Sequence, residues 1–462
     1  MYLRSINHFS LSLASAPFLQ YTASNSQTNI QPQNAKRILS LQTEFDKNNQ
    51  TERETFRPTM TQRAVFLPNP ITKPNRPAPK RVATQLSVVA TRPLPTPPII
   101  VNSPTKVSAT RSTVSPVRPI LTPVQTRIAK VTGMDRLYSQ GSVGQGQKVA
   151  VIEFSGTWDK MHNFVRGSEG VLPTEIRQSY AKRFLPPLPL PGGVDPNKHF
   201  EGCLDASYHG SCMASTILDF SPQAHVLPIS TYRDEETGHF YSSDAALMDL
   251  SKRADIKVIN IASGFFDYRV EEYIEGGILK HIYSFSEESV SGIKAAAAAG
   301  KIIVMAAGNE GEPIPSLPSS SGAGPEIANF AFRIRGLFSK LDKQTMKSII
   351  LAGNINFYSD RWMKDLDSNY PGDSKDLRQR FLFAPGKFDY SFEAGKFANG
   401  TSNSAAYISA TLANLLSKSE DITPRMAVKA LMKTAEKPDS EPEYGGGLIR
   451  ADKAAEFLDR FL

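Results

Sequence analysis

Lys148-Val-Ala-Val-Ile-Glu-Phe-Ser-Gly156 is the stretch on which the reading of this chain turns. Val149 to Ile152 are apolar without alternation, so a strand built from them must be covered on both faces. That is the signature of a buried strand in a parallel sheet. Glu153 then brings a carboxylate to the carboxyl end of the strand, where sheets of this kind gather their functional groups. Similar runs follow at His225-Val-Leu-Pro-Ile229, Lys257-Val-Ile-Asn-Ile261, Lys301-Ile-Ile-Val-Met-Ala306 and Ser348-Ile-Ile-Leu-Ala352. Helical patterns lie between them. Asp244 to Ala254 is one, and Glu287 to Ala299 is another, closed by Gly300 as a C-cap. Further helices are expected over about 402–417, 424–435 and 451–460. Strand alternating with helix predicts an α/β fold with a doubly wound parallel sheet over residues 126–462.

Three other segments carry side chains suited to chemistry. His209 opens a small-residue helix in Tyr208-His-Gly-Ser-Cys-Met-Ala-Ser-Thr-Ile217, which would hold its ring toward the strand ends. Ser402 lies in Ala398-Asn-Gly-Thr-Ser-Asn-Ser-Ala-Ala406. A hydroxyl at that helix N-terminus sits where the helix dipole favours a developing negative charge. Asn309 follows the Lys301–Ala306 run in Ala306-Ala-Gly-Asn-Glu-Gly311. It is either a turn residue or an amide aimed at an oxyanion.

Taken in order, these motifs resemble those of the subtilisin-like serine proteases: a carboxylate after the first strand, then His-Gly, then Ala-Gly-Asn, then Gly-Thr-Ser. Phe383-Ala-Pro-Gly386 and Gly445-Gly-Gly-Leu-Ile-Arg-Ala451 resemble the segments that precede the nucleophile and the last helix of that family. The resemblance implies Ser402 as nucleophile, His209 as general base and Asn309 with the Ser402 N–H as oxyanion hole. It also implies that Ala262, Ser263 and Gly264 pair with an extended polypeptide substrate. Ala306, Ala307 and Gly308 would wall the pocket beside the scissile bond. No cofactor is implied beyond the calcium common in such proteases, and no acidic loop here makes a convincing calcium or other metal site.

The sequence also departs from that family. Its first-strand motif is Asp-(Ser/Thr)-Gly, whereas this chain has Glu153-Phe-Ser-Gly156, one methylene longer and one residue more. Asp159 is the reserve carboxylate, and Asp205 a weaker one. The related sedolisins carry a similar Glu, but they replace the His and the oxyanion Asn, which remain here as His209 and Asn309. Cys212 stands where the family has a second His, and Ala406-Tyr407 where it has Pro-His. Segments 265–292 and 312–347 are longer than a minimal member needs, the second beginning with a Pro- and Ser-rich insertion. Two readings compete with an active serine endopeptidase: a pseudoprotease that binds polypeptide without cutting it, and an incidental scaffold for an N-terminal arm.

That arm accounts for the charge of the chain. The 462 residues carry a formal +8. Residues 57–123 contain ten Lys and Arg, no Asp or Glu, and 14 of the 33 prolines. Residues 1–56 are polar and near neutral, leaving a net −3 for residues 124–462. Prolines at this density exclude helix and central strand. Residues 1–56 are therefore expected to be disordered, and 57–125 to form an extended basic linker. The arm suits solvation, an acidic partner or a Pro-binding module. The folded part gives no reason to expect nucleic acid. Residues 1–16 faintly resemble a signal peptide, interrupted by Ser10 and Ser12. No apolar run approaches a membrane span, so a soluble protein is expected, with its compartment open. Cys203 and Cys212 are too few for a disulfide framework.

Overall fold

The computed structural model describes residues 119–154, 158, 161, 174–186, 208–233, 240–263, 269–275, 278–287, 290–315, 319–321, 330–358, 361–390, 398–437 and 445–462. All of them belong to the compact unit spanning residues 106–462. The expectations for residues 1–118 lie outside the described residues.

The strands are β1 Lys148–Phe154, β2 His225–Arg233, β3 Phe240–Tyr241, β4 Val258–Ile261, β5 Arg269–Glu275, β6 Ile278–Ser284, β7 Ile302–Ala306, β8 Ser319–Ser321, β9 Ile349–Tyr358, β10 Arg361–Lys364 and β11 Phe381–Pro385. The main sheet runs β10-β9-β7-β4-β1-β2-β3, and β11 also pairs with β9. The contacts β1–β2, β1–β4, β4–β7, β7–β9 and β9–β11 are parallel. Short antiparallel strands close the margins, β3 on β2 and β10 on β9. The five apolar runs read in the sequence are β1, β2, β4, β7 and β9; they form the expected parallel sheet between helices, and the antiparallel β3 and β10 at its margins make the sheet as a whole mixed. Segment 265–292 holds the β5–β6 hairpin, and β8 from segment 312–347 completes a separate antiparallel sheet with it.

Alternation along each strand divides the core into two layers. Val149 and Val151 of β1 join Val258, Val304 and Ala352 on one face. That face lies under the helices His209–Phe220 and Thr401–Leu416. Ala150 and Ile152 join Ile259, Ile303 and Leu351 on the other. That face is covered by helices Ser243–Ser251, Ser291–Ala298 and Phe330–Ser339. Burying each Val or Ile is worth about 1.5–3 kcal/mol. A one-residue slip of β1 would exchange the two sets. Parity therefore assigns Glu153, in step with Val149 and Val151, to the face that carries the His209 helix.

The Thr401–Leu416 helix is buried along its whole length. Small residues such as Ala405, Ala406, Ala410 and Ala413 allow it to lie close to the sheet and to its partner helix. Polar ties fix the packing. Ser221 Oγ donates to Asn414 Oδ1 at 2.8 Å, and Asn414 Nδ2 donates to the Phe220 carbonyl at 2.8 Å.

The helix Pro123–Thr132 opens with Thr122 as cap, and Gln125 returns a bond to the Thr122 N–H. Pro123, counted by composition with the linker, occupies the first helical turn, where its missing N–H costs nothing. Gln125 is fully buried and donates to Asp219 Oδ2 and to the Asp389 carbonyl, both at 2.9 Å.

Candidate active site

Glu153 is 1% exposed at the end of β1. Its Oε1 stands 3.1 Å from Nδ1 of His209, the first residue of its helix. Residues 210–220 of that helix are buried, so the base of the ring is held while the ring itself stays partly exposed. The extra methylene of Glu, relative to Asp, is spanned within this contact. Burial pulls the His209 pKa down, but the Glu153 carboxylate overcomes it, and the net shift is upward.

Ser402 is the second residue of the Thr401–Leu416 helix, and its backbone N–H belongs to the first turn, which has no intrahelical acceptor. Gly400 precedes the helix at φ +118°, and a Cβ there would come within 3.1–3.2 Å of the Asn309 amide atoms. Only glycine adopts that backbone so close to a neighbour at little cost. Asn309 lies two residues beyond Ala307 in the loop after β7. Its Oδ1 accepts from Thr401 N at 2.9 Å and from Thr401 Oγ1 at 3.0 Å. With Oδ1 so engaged, Nδ2 is left to donate. Thr401 Oγ1 also accepts from Gly308 N at 3.1 Å, tying the loop to the helix start.

Ser402 Oγ donates to the Ala262 carbonyl at 3.2 Å. No hydrogen bond joins it to His209 among the described residues. Ala262 and Ser263 follow β4, and Ser263 Oγ donates to the Ile152 carbonyl at 3.4 Å, linking this edge to β1. Ala307 is buried and bonded through its N–H to the Ala352 carbonyl at 3.0 Å. Gly264 and the carboxylates Asp159 and Asp205 lie outside the described residues. Among the described residues no group of three His, Cys, Asp or Glu is arranged to hold a metal, so no residue is assigned to calcium. Among them too, no helix is long and apolar enough to cross a membrane.

Two residues around the site, Thr401 and Tyr390, are not singled out by the sequence. Thr401 lay within the Gly-Thr-Ser run, but its two-sided tie to Asn309 and Gly308 had no separate signal. Tyr390 OH donates to Asn403 Oδ1 at 2.6 Å, and its pKa is raised well above normal by burial and then by the neighbouring Cys212. Cys212 itself is buried. Tyr407 is fully buried, with its OH 2.6 Å from Thr132 Oγ1 and its ring edge-on to Phe220 at 4.6 Å. Both unusual positions are therefore core positions.

The family profile described as the Subtilase family matches residues 193–448, more than half of the chain. No curated protein matches in sequence. Among solved structures, the chain is similar to the prenylagaramide maturation protease PagA, with 17% identity, 71% of this chain and 98% of that one covered, and a TM-score of 0.44. It is similar to a lanthipeptide protease, with 19% identity, 72% and 93% covered and a TM-score of 0.44. It is also similar to fervidolysin from Fervidobacterium pennivorans, a keratinolytic enzyme related to subtilisin. There the identity is 17%, the coverage 71% and 45%, and the TM-score 0.44. The family match carries the assignment: this chain belongs to the subtilase family.

Proposed function

We propose that the protein is a serine endopeptidase that cleaves polypeptides through an acyl-enzyme on Ser402. The observation that carries this reading is the 3.1 Å approach of His209 Nδ1 to the buried Glu153 carboxylate. A carboxylate there fixes the imidazole with Nε2 as the basic atom and stabilises the imidazolium once it forms. Glu153 thus does the work for which the family motif uses Asp.

The steps follow from the positions of the groups. An extended substrate pairs with the Ala262–Gly264 edge, and its N–H replaces the Ser402 hydroxyl at the Ala262 carbonyl. Ser402 Oγ then turns to His209, loses its proton to Nε2 and attacks the scissile carbonyl carbon. The carbonyl oxygen becomes an oxyanion held by Asn309 Nδ2–H and the Ser402 N–H, the former worth about 3–4 kcal/mol. His209 returns the proton to the leaving amine, the C–N bond breaks and an ester remains on Ser402. Water, deprotonated by His209, releases the acid and restores the hydroxyl.

A second reading, a catalytically silent polypeptide binder, is favoured by one feature: Ser402 Oγ rests on Ala262 instead of His209. Incubation with a peptide library, followed by mass spectrometry of the products, separates the two. The proposal expects new termini that vanish with Ser402→Ala. Peptide capture by wild type without new termini, with or without residues 1–123, would favour the binder.

A further inference from the structure

Asn369 lies in the connection over residues 365–380 between β10 and β11, 60 positions from Asn309, and is fully buried. Its Nδ2 donates to the Ala307 carbonyl at 2.8 Å and also to Glu310 Oε2. Its Oδ1 accepts from Glu310 N at 3.3 Å and Glu312 N at 3.0 Å. Its own backbone N–H donates to the Gly308 carbonyl at 3.1 Å. One amide thus grips the chain on both sides of Asn309. Gly308 sits at φ +100°, and a Cβ on it would stand 2.3 Å from Asn369 Nδ2, so the loop is folded directly onto this side chain.

From this arrangement we propose that Asn369 is a positioning residue for the oxyanion donor. It holds the backbone of residues 307–312 so that the Asn309 amide meets Thr401 through Oδ1 and presents Nδ2 to the substrate. Thr401 orients the tip of the Asn309 side chain, whereas Asn369 sets the base from which it projects. A donor in an oxyanion hole acts only if it is aimed at where charge develops, and misplacement by about 1 Å costs on the order of 10²-fold in rate. This inference rests on the endopeptidase reading, because it concerns a donor used in the transition state.

The test is a double-mutant cycle on the full chain with Asn369→Ala, Asn309→Ala and the pair, using a chromogenic peptide ester. Asn369→Ala is expected to lower kcat by about 10²-fold with KM changed less than about 3-fold. In the Asn309→Ala background the same substitution should cost less than about 3-fold, because its route of action is already gone. Hydrogen exchange of the peptide spanning residues 305–314 should quicken in Asn369→Ala. Asn369→Ser keeps a small hydroxyl that can hold part of these bonds and sets no second carboxylate beside Glu310. It should give a smaller loss of kcat, and it decides the matter if the alanine variant does not fold. Unchanged kcat in both Asn369 variants, or losses that multiply fully in the pair, would overturn the positioning role while leaving a working protease. A wild type that turns over no ester would instead strike the endopeptidase reading itself, and the role of Asn369 with it.

Discussion

The two halves of the candidate site are held in different ways. On the oxyanion side, Asn309, Thr401, Gly308 and Asn369 form a closed set of hydrogen bonds between the β7 loop, the Ser402 helix and the connection before β11. On the base side, His209 is fixed from below by a buried helix, but among the described residues its ring meets one carboxylate, that of Glu153. The Ser402 hydroxyl has turned away from it toward Ala262. In the proposed mechanism the oxyanion donors are therefore set before substrate arrives, whereas the proton-transfer line from Ser402 to His209 forms when substrate binds. Catalytic hydrogen bonds in unliganded sites often tighten only when substrate is bound.

The largest expected effect lies where the two halves meet. Ser402→Ala and His209→Ala should each lower kcat by roughly 10⁶-fold, and the double variant should be no worse, because the pair acts as a unit. Losses that multiply, measured by single-turnover kinetics, would show that the two residues work independently.

Glu153→Gln comes next, with an expected loss of about 10⁴-fold in kcat. It should also move the pH profile. Only neutral His209 accepts a proton, so kcat/KM rises with pH through the His209 pKa. The carboxylate holds that pKa up, and burial alone would push it down. Replacing Glu153 by Gln should therefore shift the acid limb to lower pH. An unshifted limb with unchanged turnover would transfer the orienting role to another carboxylate, with Asp159 first to be tested. Glu153→Asp withdraws the carboxylate by about 1.5 Å and should cost more than about 10-fold. Full activity in that variant would mean that His209 tolerates a longer gap to its carboxylate.

The oxyanion side should respond more mildly. Asn309→Ala is expected to lower kcat by about 10²–10³-fold with little change in KM. Gly400→Ala should be smallest in chemistry. It forces a Cβ into a positive-φ position against the Asn309 amide and should lower stability by about 1–3 kcal/mol, read from thermal or urea denaturation.

Much of this organisation was legible in the chain. The five buried parallel strands are visible as unalternating apolar runs, because burial on both faces leaves no polar position within them. His209, Asn309 and Ser402 stood out because each sits at an element end in a small-residue context. β11 gives little strand signal, because Phe381–Pro385 is short and reads as the lead-in to the nucleophile. The β5–β6 hairpin gives no clear strand pattern, because Arg, Glu, Lys and His interrupt its apolar residues. Asn369 carried no local signal at all. Its bonds reach residues 57 to 62 positions away, and only the return of the chain beside β7 brings them together. The match of Glu153 to the His209 face follows from strand parity, but the reach of its longer side chain required coordinates.

In the proposed protease, Glu153 and His209 together activate Ser402. Labelling with a fluorophosphonate, located by mass spectrometry across pH 4–10, tests it most directly, applied to the full chain and to the chain lacking residues 1–123. Modification of Ser402 is expected to rise with pH through the His209 titration and to disappear in His209→Ala. A wild type unlabelled at every pH in both forms, or labelling that persists undiminished without His209, would contradict it.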